Sequence, residues 1–145
     1  MSVYPKLRNT VKLKSDGSIS QSSNEDLAWM RKALRLAQRA AEKDEVPVGA
    51  LVVREGQLLA QAYNYRETWK TVLAHAEIIA LHRASIKINA WRLINCTLYV
   101  TLEPCLMCAG AIQQARFSRV VFGAYDKKRG ALTGLNHRIE ITGVV

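Results

Sequence analysis

Two short runs, thirty positions apart, hold the residue types best suited to chemistry: His75-Ala76-Glu77 and Pro104-Cys105-Leu106-Met107-Cys108. They supply one imidazole, one carboxylate and two thiols, the parts of a catalytic zinc site with its own proton carrier. Pro104 suits the first position of a helix, where its missing N–H would have no partner anyway. Cys105 and Cys108 then stand at i and i+3 on one face of the first turn, where the positive end of the helix dipole favours their thiolates. His75 precedes the apolar residues Ile78, Ile79 and Leu81, which predicts a second helix start. Three ligands from two helix N-termini leave a fourth tetrahedral position open for water, as in catalytic rather than structural zinc sites. Glu77, two residues beyond the histidine, can lean toward that position and move protons without binding metal. Alone, a Cys-x-x-Cys is equally a redox pair or half of a structural zinc site, and a lone His-x-Glu arises by chance. Together, each at a strand-to-helix junction, the two motifs point to one catalytic zinc.

The elements that must position these residues follow from periodicity. Residues 1–23 are polar, Ser-rich and aperiodic, with Lys6, Arg8, Lys12 and Lys14 ahead of Asp16-Gly17, and read as a flexible basic arm. Residues 24–145 read as a single domain. Ser23 or Asn24 can cap a helix with Glu25 and Asp26 in its first turn. Leu27, Met30, Leu34, Ala37 and Ala41 recur at three- and four-residue steps to about Lys43, with Arg31, Lys32, Arg35 and Arg39 largely off that stripe. Residues 48–53 and 58–62 predict a β-hairpin around Arg54-Glu55-Gly56-Gln57. A loop over 63–74 leads to a helix from His75 to about Asn89. Residues 92–102 suit a central strand buried on both faces. A helix over 105–115 and strands over 119–124 and 138–142 complete the order. This predicts an α/β fold: a three-layer α/β/α sandwich around a mixed five-stranded sheet.

The 145 residues, 49% hydrophobic and 23% charged, suit one compact domain. A chain of this length buries roughly 70% of its unfolded surface, enough for a core without disulfides. Of three cysteines, two are claimed as ligands, and Cys96, inside an apolar run, reads as a small core residue. That usage fits a reducing, cytoplasmic setting. The N-terminus carries no signal-peptide pattern, and no run approaches the ~20 apolar residues of a membrane span. Twenty-one basic against twelve acidic residues give a formal charge of +9, which favours a polyanionic partner such as nucleic acid over plain solubility.

The runs Val46-Pro47-Val48-Gly49-Ala50, His75-Ala76-Glu77, Thr97 through Cys105, Met107-Cys108-Ala109-Gly110-Ala111 and Asn136-His137-Arg138 closely resemble bacterial tRNA-specific adenosine deaminases, over about residues 27–142. The resemblance implies a cytidine-deaminase-like fold, a homodimer, one Zn2+ per subunit, and conversion of adenosine to inosine at the wobble position of a tRNA anticodon stem-loop. His75, Cys105 and Cys108 match the family's zinc ligands and Glu77 its proton shuttle. Asn64 matches its base- and ribose-reading asparagine. By the same matching, Ala76 offers its N–H to the purine, Val46 walls the pocket, and Asp126 lies near the neighbours of the flipped nucleotide. Lys127, Lys128 and Arg129 follow Asp126, close to where the family places the anticodon loop, and read either as phosphate contacts or as a solvated turn. If they are only a turn, Arg66, Lys70 and the N-terminal arm are the next candidates for RNA.

The family differs in having a longer loop between its last two strands and a C-terminal helix, so the grip on RNA is expected to differ more than the chemistry. Two rival functions use the same residues. One is a deaminase of free bases or nucleosides, of guanine or cytosine type, for which a charge of +9 has no use. The other is a non-catalytic RNA-binding subunit with structural zinc, for which Glu77 has no use.

Overall fold

A computed structural model of the chain describes residues 10–13, 19–21, 24–132 and 140–144, with side chains described over 24–132. The helices are α1 (Asn24–Glu42), α2 (Arg66–Trp69), α3 (Ala76–Ile88) and α4 (Leu106–Gln114). The strands are β1 (Thr10–Leu13), β2 (Ile19–Gln21), β3 (Gly49–Arg54), β4 (Gln57–Tyr63), β5 (Cys96–Leu102), β6 (Arg119–Ala124) and β7 (Glu140–Val144). They form one mixed sheet in the order β2-β1-β7-β6-β5-β3-β4. β6 runs parallel to both β5 and β7, and the other pairings are antiparallel.

Alternation along the central strands builds two cores. Leu51, Val53, Tyr99 and Val121 face Met30, Ala33 and Leu36 of α1. Ala50, Val52, Leu98, Val100, Val120 and Phe122 face the opposite way, against Ile79 and Ala80 of α3 and Ala109 and Ile112 of α4. Strands covered on both faces must be apolar throughout, which is why these segments read as unbroken hydrophobic runs. The three-layer α/β/α expectation therefore holds. Gly49 is where α1 comes closest, since a Cβ there would collide with the carbonyl oxygen of Ala33. The β3–β4 hairpin closes through Glu55 and Gly56, both at positive φ, as a two-residue turn of this hand requires.

Several expectations need correction. Among the described residues the sheet has seven strands rather than five. The four strands β3–β6 carry the site, β7 is the expected last strand, and β1 and β2 come from the stretch read as an arm. Three- and four-residue strands with one or two apolar residues each fall below the length at which alternation stands out. The segment 63–74, read as loop, contains the single-turn helix α2. Pro104 is not the first residue of α4. Cys105 is its N-cap and Leu106 its first helical residue, so Pro104 lies one position outside. Asp26 does more than meet a helix dipole. It is 2% exposed, accepts a hydrogen bond from the Tyr99 hydroxyl at 2.7 Å, and takes the Arg119 guanidinium bidentately at 2.6 and 2.5 Å, fastening α1 to β5 and β6. Ser23 and the Asn136-His137-Arg138 motif lie outside the described residues.

Candidate active site

His75 and Cys105 are both N-cap residues, in extended backbone conformation with φ of −77° and −73°. Neither makes a side-chain capping bond, so both side chains are free to point beyond their helix ends. The parallel pair β5–β6 and the hairpin set these two ends side by side. His75 Nδ1 lies 3.7 Å from Cys105 Sγ and 3.5 Å from Cys108 Sγ, and the three ligand atoms fall within 4.8 Å of one another. Tetrahedral zinc, with bonds of about 2.3 Å to sulfur and 2.0–2.1 Å to nitrogen, would set S···N at about 3.5 Å. The three side chains fit that ion.

The electrostatics agree with the fit. Burial, followed by the neighbouring Glu77 and Cys105, pushes the Cys108 thiol far above the ordinary cysteine range. A buried thiol so reluctant to ionise gains most from a dication. Burial, and then the Arg66 charge, lowers His75, keeping its imidazole neutral and able to donate a lone pair. Glu77, the second residue of α3 and 5% exposed, is raised by burial, opposed by an N–H bond and by the Cys108 thiol. A carboxyl poised upward in this way can both take and return a proton.

A cavity of about 110 Å³ opens over this cluster, and Val46, Asn64, His75, Glu77, Cys105, Asp126 and Arg129 all line it. Asn64 is a 5% exposed polar residue held by its N–H on the Val48 carbonyl. Ala76 is fully buried at the first position of α3, where its N–H has no acceptor within the helix. Lys127 and Lys128 are exposed and lie outside the lining, whereas Arg129 reaches it. Asp126 Oδ1 accepts from the N–H groups of Lys128 and Arg129, so its carboxylate shapes the turn as well as the rim.

The sequence reading missed two buried carboxylates that hold the walls. Glu103 accepts from the N–H groups of Asp126 and Leu132, at 3.3 Å each, and Gly130 packs where any Cβ would collide with that carboxylate. Glu45 binds the start of α2. Each sits within two residues of a proline beside an apolar run, as Glu45-Val46-Pro47 and Leu102-Glu103-Pro104. A charge in such a setting is a signal for a buried, partnered carboxylate.

This fold, with a His/Cys/Cys cluster at two helix starts, defines a deaminase of the cytidine-deaminase-like class. Residues 24–143 match the family of MafB19-like deaminases. The tRNA-specific adenosine deaminase of Bacillus subtilis (strain 168) is 43% identical over 130 residues, covering 83% of this chain and 81% of that protein. A solved structure from studies of A-to-I editing by tRNA:A34 deaminases at the wobble position of transfer RNA matches with a TM-score of 0.72 at 44% identity, covering 74% of this chain and 78% of that one. The guanine deaminase from Bacillus subtilis matches at 0.67 and 33% identity, covering 72% and 66%. The chain belongs to the tRNA-specific adenosine deaminase family.

Proposed function

We propose that the protein is a zinc-dependent deaminase converting adenosine to inosine at the wobble position of a tRNA anticodon loop. The observation that carries the reading is one cavity with His75 and Cys105, beside the buried Cys108, at its floor, Glu77 beside them and Asn64 on its wall. His75, Cys105 and Cys108 would hold one zinc ion, which when bound supplies the Lewis acidity that brings the pKa of a water near 7. Glu77 removes the proton from the attacking water and delivers it to N1 of the adenine. The water oxygen adds to C6; Glu77, again a carboxylate, then takes the proton of the new C6 hydroxyl and passes it to the amine, so that the C6–N bond breaks, ammonia leaves and the C6 carbonyl of inosine forms. Asn64 and the Ala76 N–H orient the base, and Val46 walls its face. A cavity this small admits a base only once it has left its stack, which an anticodon loop allows at little cost.

Supporting the tRNA substrate over a free base are the +9 charge and the higher identity to the tRNA enzymes than to the guanine deaminase. The homodimer is carried by the family resemblance alone. Among the described residues no helix is long and apolar enough to cross a membrane, and the cytoplasmic reading rests on the family resemblance and on the cysteine usage of the sequence. The purified protein, with its metal content measured, should form inosine in a tRNA carrying adenosine at the wobble position and leave free adenosine and guanine unchanged. Xanthine from guanine without inosine in tRNA would overturn the reading in favour of the free-base enzyme.

A further inference from the structure

Arg31, Arg35, Arg39 and Lys43 repeat every four residues along α1 and its C-terminal turn, and all four are exposed. At 1.5 Å per residue this line of cations runs about 18 Å, with about 6 Å between charges. Like charges at i, i+4 destabilise a helix. The usual remedy is an acidic residue one turn away, yet among the described residues no ion pair joins Arg31, Arg35 or Arg39 to a carboxylate. A solvated helix face gains nothing from three successive unfavourable pairs; a face that meets a polyanion does.

The line leads to the cavity. Lys43 stacks over the rings of Tyr63 and Tyr65, at 5.4 and 5.7 Å, and Val46 of the cavity wall follows three residues later. Tyr65 in turn stacks on Trp69 of α2, the helix that begins at the cavity residue Arg66. Beside the line, an open groove of about 390 Å³ is lined by Lys32, Arg35, Gln38, Arg39 and Glu42 of α1 and by Gln61 of β4. Glu42 is the only carboxylate in that lining.

We propose that this face of α1 is a second RNA-binding surface, on which Arg31, Arg35 and Arg39 take successive phosphates of the RNA strand leading away from the base held in the cavity. A single small anion would need converging donors. Evenly spaced cations in a row match a phosphate backbone instead. That the RNA is a tRNA rests on the function proposed above; that the face binds RNA phosphates does not.

The test is the salt dependence of binding, measured by fluorescence anisotropy with a labelled tRNA carrying adenosine at the wobble position. The variant Arg31→Gln/Arg35→Gln/Arg39→Gln is compared with Lys87→Gln/Arg92→Gln/Arg116→Gln, which removes the same charge from exposed positions in the last turn of α3, ahead of β5 and just after α4. The α1 variant should flatten the plot of log affinity against log salt by about 2 to 3, at 0.7–0.9 per phosphate contact, and bind roughly tenfold more weakly or worse. The comparison variant should change the slope by less than about 1. Equal effects of the two variants, a wild-type slope in the α1 variant, or salt-independent binding by the wild type would each overturn the proposal. Single substitutions, each expected to change the slope by about 0.7–0.9, keep the test decisive should the triple variant fold poorly. Failure of wild-type protein to form inosine while the α1 slope still falls would reject the proposed reaction and leave the RNA surface standing.

Discussion

Glu45 Oε2 accepts hydrogen bonds from both the hydroxyl and the N–H of Thr68, at 2.6 and 2.8 Å, while its other oxygen accepts from the Glu67 N–H at 2.9 Å. Tyr65, the N-cap of α2, offers no side-chain bond, so a carboxylate from the segment before β3 caps this helix in its place. The contact ties the segment bearing Val46 to the segment bearing Asn64 and Arg66, two parts of the cavity wall. Glu45→Gln should leave an amide group facing the half-buried N–H groups of the α2 start and cost about 1 kcal/mol, seen as a lower Tm at neutral pH. Burial raises the Glu45 carboxyl, but the Thr68 hydroxyl and the two N–H groups outweigh it and leave it below its ordinary 4.5. A group depressed on folding stabilises above its unfolded value and loses that effect as pH falls through the folded one. The Tm gap between wild type and variant should therefore be full near neutrality and narrow below about pH 4.5. A pH-independent gap would mean that the carboxylate's charge is not what holds α2.

Glu77→Gln should retain metal and lose on the order of 10²–10⁴ in turnover, the range of a positioned general acid–base. His75→Ala or Cys108→Ala should lose metal, because two remaining ligands hold zinc poorly. Metal content by atomic absorption, taken beside inosine formation, separates the two roles. Full metal in Cys108→Ala would contradict the ligand set.

Breaking the Asp26–Arg119 pair with Asp26→Ala should destabilise by about 3–5 kcal/mol, since it strands a partly buried guanidinium. Replacing both members, as Asp26→Leu with Arg119→Met, should recover much of that loss. Denaturant titrations of the single and double variants check the expectation. Metal content should be the same in all of them, because the pair fastens α1 to the strands from the sheet face opposite α3 and α4.

Gly130→Ala should drive a methyl into the Glu103 carboxylate and displace the turn carrying Asp126 and Arg129. KM for tRNA should rise by roughly an order of magnitude, on the scale of a lost charge-assisted contact, while metal content stays at wild-type level. Steady-state kinetics read the split, and an unchanged KM would remove this turn from the substrate surface.

The meeting of His75, Cys105 and Cys108, with Glu77 on the same cavity, was legible in the sequence because a candidate metal site is marked by residue type and spacing. The central strands and α1, α3 and α4 were legible from long apolar patterns. What escaped was carried by single long-range contacts. Nothing local to Glu45 reveals that it caps a helix more than twenty residues later, nor does anything around Asp26 point to Arg119. β1 and β2 escaped because they owe their existence to a neighbouring strand rather than to their own pattern.

The ladder between β1 and β7 sets Thr10 opposite Val144. Neighbours across an antiparallel ladder lie about 5 Å apart, so the backbone is nearly a ring, open at one point along the sheet. A short linker joining Thr10 to Val144 would close that ring. It could then be reopened at the exposed residues Asn89–Arg92, between the end of α3 and the start of β5. Such a permuted chain would deliver Cys105 before His75. The same two helix ends would still meet, because the meeting is set by the sheet and not by the order of synthesis.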